Sequence, residues 1–273
     1  MNKNMKLNEV QLTALIPLWG RAKYSEANPE VLKDDLSIKV LKNITDQYGY
    51  TGEKFNEYGG LCYIVRARRF DDEVLSFLES RSKATIVNLG CGLDTGFERL
   101  GSGKDIKWYN LDLEDMIQFR KSIINCDDSR EMCISKSILN YTWFDDIEYD
   151  NSSDVLFLAG GLFHFFHKED IMKLLTIMAE KVPGSTVLFD INSKEGTRIS
   201  NKMFKKLNKK TMMYFCIDKA EELNDISQHI KKVKISNFWS GIKIKDTWLP
   251  ETKAVIKSCF EEEFSKVVRI EYK

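Results

Sequence analysis

Up to Ser80 the apolar positions recur three and four residues apart, and from Ala84 onward they gather into short β-branched runs separated by helical stretches. The first texture predicts helices at Asn8–Ser25, Asp35–Gln47 and Tyr63–Ser80. Asp34 and Asp35 supply a cap for the second, which closes near Gly49. The third carries Ile64, Phe70, Val74, Leu75 and Leu78 near helical spacing, with Arg66, Arg68 and Arg69 between them. The second texture predicts strands at Thr85–Leu89, Lys107–Leu111, Glu131–Ser135, Val155–Ala159 and Thr186–Ile191, with helices starting near Asp94, Glu114, Trp143 and Lys168. Beyond Ser193 come a helical stretch to Leu207, a strand at Met212–Ile217, strand-like Lys232–Trp239, a helix at Glu251–Glu261 and a last strand at Ser265–Tyr272. Strands alternating with helices predict an α/β, Rossmann-like, mostly parallel sheet, and the final pair suits an antiparallel hairpin at its C-terminal edge.

No repeat or low-complexity tract interrupts this pattern, and only four prolines occur. The 273 residues therefore read as a single domain, 1–273, in which a helical lid at 1–60 precedes an α/β core with insertions at 61–273. Lys+Arg and Asp+Glu both total 41, so no net field draws the chain to nucleic acid or an anionic membrane. The KKLNKK run at Lys205–Lys210 reads as a solvated face. Six scattered cysteines without a CxxC pair argue for reduced thiols rather than disulfides or zinc. The N-terminus lacks a signal-peptide pattern, and the longest apolar run, VLFLAGGLFHFF, is short of the ~20 residues that span a bilayer. These features predict a cytoplasmic protein.

The stretch IVNLGCGLDT places Gly90 and Gly92 at the first strand-to-helix turn, where open α/β sheets bind ligands. A Cβ at either glycine is expected to intrude on a ligand approaching the backbone. Asp112, in WYNLDLED, follows Gly90 by ~20 residues at the end of the second strand, the position of an acid that accepts ribose hydroxyls. The plain alternative is a cap for the helix at Glu114. The third glycine of the dinucleotide fingerprint is replaced by Thr95, and Asp94 at the helix entrance is expected to repel a pyrophosphate. An adenosine ligand without phosphates, such as S-adenosylmethionine, fits this turn better than NAD.

IVNLGCGLDTGFERL, followed by WYNLDLEDMIQFRK and preceded by RARRFDD, resembles the leucine carboxyl methyltransferase / TcmP-like O-methyltransferase family of class I S-adenosylmethionine-dependent enzymes. LIPLWGRAKYSEANPEVLKDDLSIKVL is similar to the family's lid, and DVLFLAGGLFHFF continues the likeness, which covers roughly residues 10–190. The resemblance implies that Arg66 clamps the methionine carboxylate, for which a guanidinium fork is suited. A solvated arginine on the third helix is the alternative. It further implies that Gly90, Cys91 and Gly92 line the methionine and ribose, that Asp112 takes the ribose hydroxyls with Leu113 beside it, and that Asn140 accepts from the adenine amino group. Asn88 stands where many other class I methyltransferases carry an acid. Ala159-Gly160-Gly161 replaces the family's common Glu-Gly after the fourth strand, leaving the Ala159 carbonyl to receive the methionine ammonium.

Methyl transfer needs alignment more than covalent help, and an ionised carboxylate acceptor needs no base. For a hydroxyl acceptor, His164 in GLFHFFHKED is the candidate base, against the plain reading of a packed histidine. Three histidines without clustered acids point away from a metal. Trp19, Tyr24, Tyr48, Tyr50 and Tyr58 are expected to enclose an apolar acceptor or to pack helices together. The reading is an S-adenosylmethionine-dependent O-methyltransferase acting on a hydroxyl or carboxyl of a small molecule, with no nucleic-acid or membrane partner. The alternatives are a catalytically weak or inactive cofactor-binding regulator of the same fold, a protein carboxyl methyltransferase, and a nicotinamide oxidoreductase resting on the Gly-x-Gly alone.

Overall fold

The computed structural model describes residues 9–52, 56–101, 105–125, 129–206 and 211–273; Cys126 and the end of the Lys205–Lys210 run lie outside them. Seven strands form one sheet in the order β3-β2-β1-β4-β5-β7-β6. They are β1 (Lys83–Leu89), β2 (Asp105–Asp112), β3 (Glu131–Ser135), β4 (Val155–Ala159), β5 (Thr186–Asn192), β6 (Ile230–Asn237) and β7 (Ser265–Tyr272). The first five are mutually parallel, and β7 runs antiparallel to both β5 and β6. Strand order reverses between β1 and β4, which is where the topology opens a crevice at the carboxyl ends. The edge pair is antiparallel as expected, although α8 (Pro250–Glu261) intervenes between its strands, so it is no tight hairpin.

Alternation along the strands divides the core. Val87, Leu89, Phe157 and Val187 pack with Leu174, Leu175 and Met178 of α6 (Lys168–Lys181). Ile86, Leu156, Leu158 and Leu188 face the other way, against Leu61, Ile64, Val74 and Phe77 of α3 (Glu57–Leu78) and Ile256 of α8. Each such side chain removed from water contributes about 1.5–3 kcal/mol, so the two layers fix the sheet between helices. A third cluster joins α1 (Glu9–Ala27) and α2 (Asp35–Tyr48) to α5 (Glu114–Ile123) through Leu15, Leu18, Val40, Ile44, Met116 and Phe119.

Three local expectations need correction. The third helix starts at Glu57, where Asn56 caps it by accepting from the Gly59 amide. Gly59 and Gly60 hide its apolar period, yet Gly60 is required because the Tyr24 ring lies where its Cβ would be. The helix expected near Trp143 is a 3-10 turn, Tyr141–Asp146, capped by Asn140. Met212–Ile217 is not a strand: the Tyr214 and Phe215 amides donate to the His164 carbonyl and the Ile217 amide to that of Asn192, so the segment is tied to the turn after β4 rather than to a ladder.

Candidate functional site

The turn after β1 carries two left-handed glycines, Gly90 at φ 59° and Gly92 at φ 47°. A Cβ on Gly90 would lie 2.5 Å from Leu162 Cδ1, whereas one on Gly92 would meet only Ala14 at 3.7 Å. Crowding therefore applies at Gly90 alone, and Gly92 is required by its backbone conformation. Cys91 is buried, its amide donates to the Leu111 carbonyl, and burial pushes its thiol well above the usual value, so its side chain stays neutral. Asn88 does not face the crevice with a free amide; its Nδ2 donates to Asp94 Oδ2 at 3.1 Å.

At the end of β2, Asp112 Oδ2 accepts from the Gly92 amide and Oδ1 from the Leu113 amide, both at 2.8 Å. Desolvation raises its pKa in spite of these two donors. Asp112 is thus fastened to the glycine turn, and each oxygen keeps a second lone pair for a ligand hydroxyl. Leu113 is exposed beside it. Asn140 is also exposed, at the β3 end of the row, with Oδ1 accepting from the Thr142 amide and hydroxyl.

On the other side of β1, Arg66 reaches from α3 over the turn that follows β4. Its Nε donates to Asp190 Oδ2 at 2.9 Å, and a Cβ on Gly161 would lie 2.7 Å from Nη1. Neither Nη group has a hydrogen-bond partner among the described residues. Ala159 ends β4 fully buried, and Gly161, at φ 69°, donates its amide to Asp190 Oδ1 at 2.5 Å. His164 is buried on the same carboxylate, Nε2 at 3.4 Å from Asp190 Oδ2, while its Nδ1 has no partner. The Arg66 guanidinium, with His164 and the Gly161 amide, holds the Asp190 carboxyl well below the usual range against its burial.

Asp112, Gly92, Gly90, Leu162, Gly161 and Arg66 therefore form one row across the ends of β2, β1 and β4, with Asp190, two residues before the end of β5, completing it. Asp190 was not singled out in the sequence, although an acid closing the apolar run VLFD is the same signal that marked Asp112. Also unforeseen are three arginines that brace the glycine turn from behind. Arg21 Nη2 donates to the Leu93 carbonyl at 2.7 Å, Arg120 Nη1 to those of Asp94 at 2.6 Å and Gly92 at 3.2 Å, and Arg99 Nη1 to Thr95 Oγ1 at 2.7 Å. They also hold the Asp94 carboxyl below its ordinary pKa against burial, so Asp94 stands in a cationic frame and repels less than a bare carboxylate would.

The aromatic residues of the N-terminal helices meet one helix, one turn and each other. Tyr48 meets Phe119 edge-on, Tyr58 stacks on Trp239, and Trp19 meets Tyr24. His167 precedes α6 with its ring against Tyr214.

A guanidinium fork at one end, a carboxylate with spare lone pairs at the other and a positive-φ glycine turn between them match the ends of a nucleoside bearing an amino-acid tail. The described residues contain neither a group of His, Cys, Asp and Glu arranged to hold a metal nor a helix long and apolar enough to cross a membrane. The leucine carboxyl methyltransferase family model matches residues 20–179, more than half of the chain. The tetracenomycin polyketide synthesis O-methyltransferase TcmP of Streptomyces glaucescens is 25% identical over 190 residues, covering 70% of this chain and 68% of that one. An S-adenosyl-L-methionine-dependent methyltransferase, dpfgK, of Gibberella zeae is 28% identical over 179 residues, 62% of this chain and 60% of its own length. Among solved structures, a methyltransferase fold from Thermobifida fusca superposes with TM-score 0.58 at 11% identity, covering 94% of both chains, which speaks for the fold alone. With the family model spanning α2, α3, the glycine turn, Asp112 and the turn after β4, the chain belongs to the leucine carboxyl methyltransferase family and is an S-adenosylmethionine-dependent methyltransferase.

Proposed function

We propose that the chain transfers the methyl group to a hydroxyl or carboxyl oxygen of a small molecule. The observation that carries this reading is the row from Asp112 to Arg66, tied at one end to the Gly92 amide and laid at the other over Gly161. In it, the two free Nη groups of Arg66 take the methionine carboxylate and the Ala159 carbonyl its ammonium. Gly90, Cys91 and Gly92 line the tail and the sugar, Asp112 accepts from the ribose, Leu113 covers the base, and Asn140 accepts from the adenine amino group. Asn88 acts through Asp94, holding the turn.

Bound there, S-adenosylmethionine supplies an electrophilic methyl group. The protein's part is alignment and exclusion of water, with the helices of residues 1–60 as the lid. With its proton on Nε2, toward Asp190, His164 keeps a buried and unpartnered Nδ1 lone pair as the candidate base for a hydroxyl acceptor that reaches it; a carboxylate acceptor uses no base. The name of the Streptomyces glaucescens relative, an O-methyltransferase of polyketide synthesis, supports oxygen as the acceptor atom and a small molecule as substrate. The test is calorimetry with S-adenosylmethionine and S-adenosylhomocysteine, followed by labelled methyl transfer to a panel of phenols, carboxylic acids and whole-cell protein. Binding with label only in small molecules is expected. No binding at high micromolar ligand, or label only in polypeptide, overturns the reading.

A further inference from the structure

We infer that Asp190 is a positioning residue for the amino-acid end of the cofactor, acting through Arg66 and the Gly161 turn; the inference rests on the cofactor placement proposed above. Its carboxylate is 4% exposed with both oxygens already engaged by the protein, and all three groups that surround it belong to the ligand end of the sheet. Oδ1 takes the Gly161 amide, and Oδ2 takes Arg66 Nε and stands by His164 Nε2. Because Arg66 is hydrogen-bonded through Nε alone, with its guanidinium over the Tyr63 ring, its planar fork is fixed in direction while neither Nη group has a hydrogen-bond partner among the described residues. A guanidinium whose fork is set beforehand loses less freedom when it engages a carboxylate in two parallel hydrogen bonds.

The carboxylate cannot be replaced by an amide in this role. Donors arrive at both oxygens, and an Asn side chain must turn its NH2 toward either Gly161 N or Arg66 Nε. The fork or the turn under it is then released. The nucleoside half of the site, at Asp112 three strands away and Gly92 two, keeps its own hydrogen bonds. A loss confined to the tail is what separates positioning from general support of the fold.

The experiment compares wild type and Asp190→Asn by calorimetry against S-adenosylhomocysteine and against 5′-methylthioadenosine, which has the nucleoside without the amino-acid tail. Thermal melts establish that both proteins are folded. Asp190→Asn is expected to weaken S-adenosylhomocysteine about ten- to a hundredfold, the range of one charge-assisted contact, and to leave 5′-methylthioadenosine within about twofold. In an Arg66→Met background the same substitution is expected to add less than about threefold. Should Asp190→Asn not fold, Asp190→Glu, which keeps the charge and moves it by one methylene, carries the same comparison. Unchanged or tighter S-adenosylhomocysteine binding, or equal losses for both ligands, overturns the assignment of Asp190 while leaving the cofactor site standing. A wild-type protein that binds neither ligand removes the cofactor placement, and this inference with it.

Discussion

Asp34 is the most consequential carboxylate outside the ligand crevice, and its replacement by Asn is a sharp test of how the helical extension supports the glycine turn. Its side chain is fully buried. It accepts from the Ser37 amide at 3.1 Å as the cap of α2, from Arg21 Nε and Arg99 Nη1 at 3.2 Å each, and from the Thr95 hydroxyl at 2.8 Å. Asn retains one acceptor oxygen, so the cap survives while an NH2 faces donors of two buried arginines. Removing one partner of a buried ion pair costs about 3–5 kcal/mol, and the surviving cap keeps the loss near the lower end, about 3 kcal/mol. At about 2 °C per kcal/mol for a chain of this size, the midpoint falls by about 6 °C. Arg21 and Arg99 also hold Leu93 and Thr95, so affinity for S-adenosylhomocysteine falls in the same variant. The assay is urea unfolding followed by fluorescence, with Lys33→Ala as control, since the Lys33–Asp35 pair next to it is exposed and contributes no measurable stability. A loss under about 1 kcal/mol for Asp34→Asn, or equal losses for the two variants, refutes the claim that this hub fixes the turn.

Gly90→Ala pays for left-handed backbone and also displaces Leu162, whereas Gly92→Ala carries the backbone strain of about 1–2 kcal/mol alone, so the first variant melts lower in differential scanning calorimetry. Arg120→Met removes the donors on the Gly92 and Asp94 carbonyls and leaves Glu131 its Asn110 donor without the counter-charge; faster amide exchange at Cys91 and Asp94 is expected by mass spectrometry. Because burial raises the Asp112 pKa, its carboxylate begins to take up protons above the ordinary aspartate value of about 3.9. Cofactor affinity therefore starts to fall at a higher pH than an exposed aspartate would dictate, a trend that calorimetry across pH finds in wild type and loses in Asp112→Asn. Asp190 has the opposite sign. Its depressed pKa contributes stability that is complete above about pH 4 and is lost only as pH falls through the lower folded value, so the melting difference between wild type and Asp190→Asn narrows on strong acidification.

Features that depend on neighbours in the chain were legible, and those that depend on strand order were not. The strands Val155–Ala159 and Ser265–Tyr272 coincide with their apolar runs because both faces of the first and one whole face of the second are buried. Met212–Ile217 has the same apolar texture, yet its amides end on the carbonyls of His164 and Asn192; hydrophobic content reports burial, and only a free sheet edge converts a buried run into a strand. Asp112 could be placed because its offset from Gly90 is set within one β-α-β unit. The partner of Arg66 could not, since Asp190 lies 124 residues away and meets it only once β4 and β5 are neighbours. The same holds for the arginines behind the glycine turn, which come from α1, α4 (Gly96–Leu100) and α5 and weaken the expected repulsion at Asp94. Ala159 makes the clearest case. Along the chain it reads as an acid missing from the end of β4, while in the sheet a carboxylate, Asp190, stands one strand over on β5, bonded to the very turn that follows Ala159. A motif compared position by position records a loss there, while the sheet places on the adjacent strand, about 5 Å across, a carboxylate that holds the turn after Ala159 and Arg66 rather than the ligand.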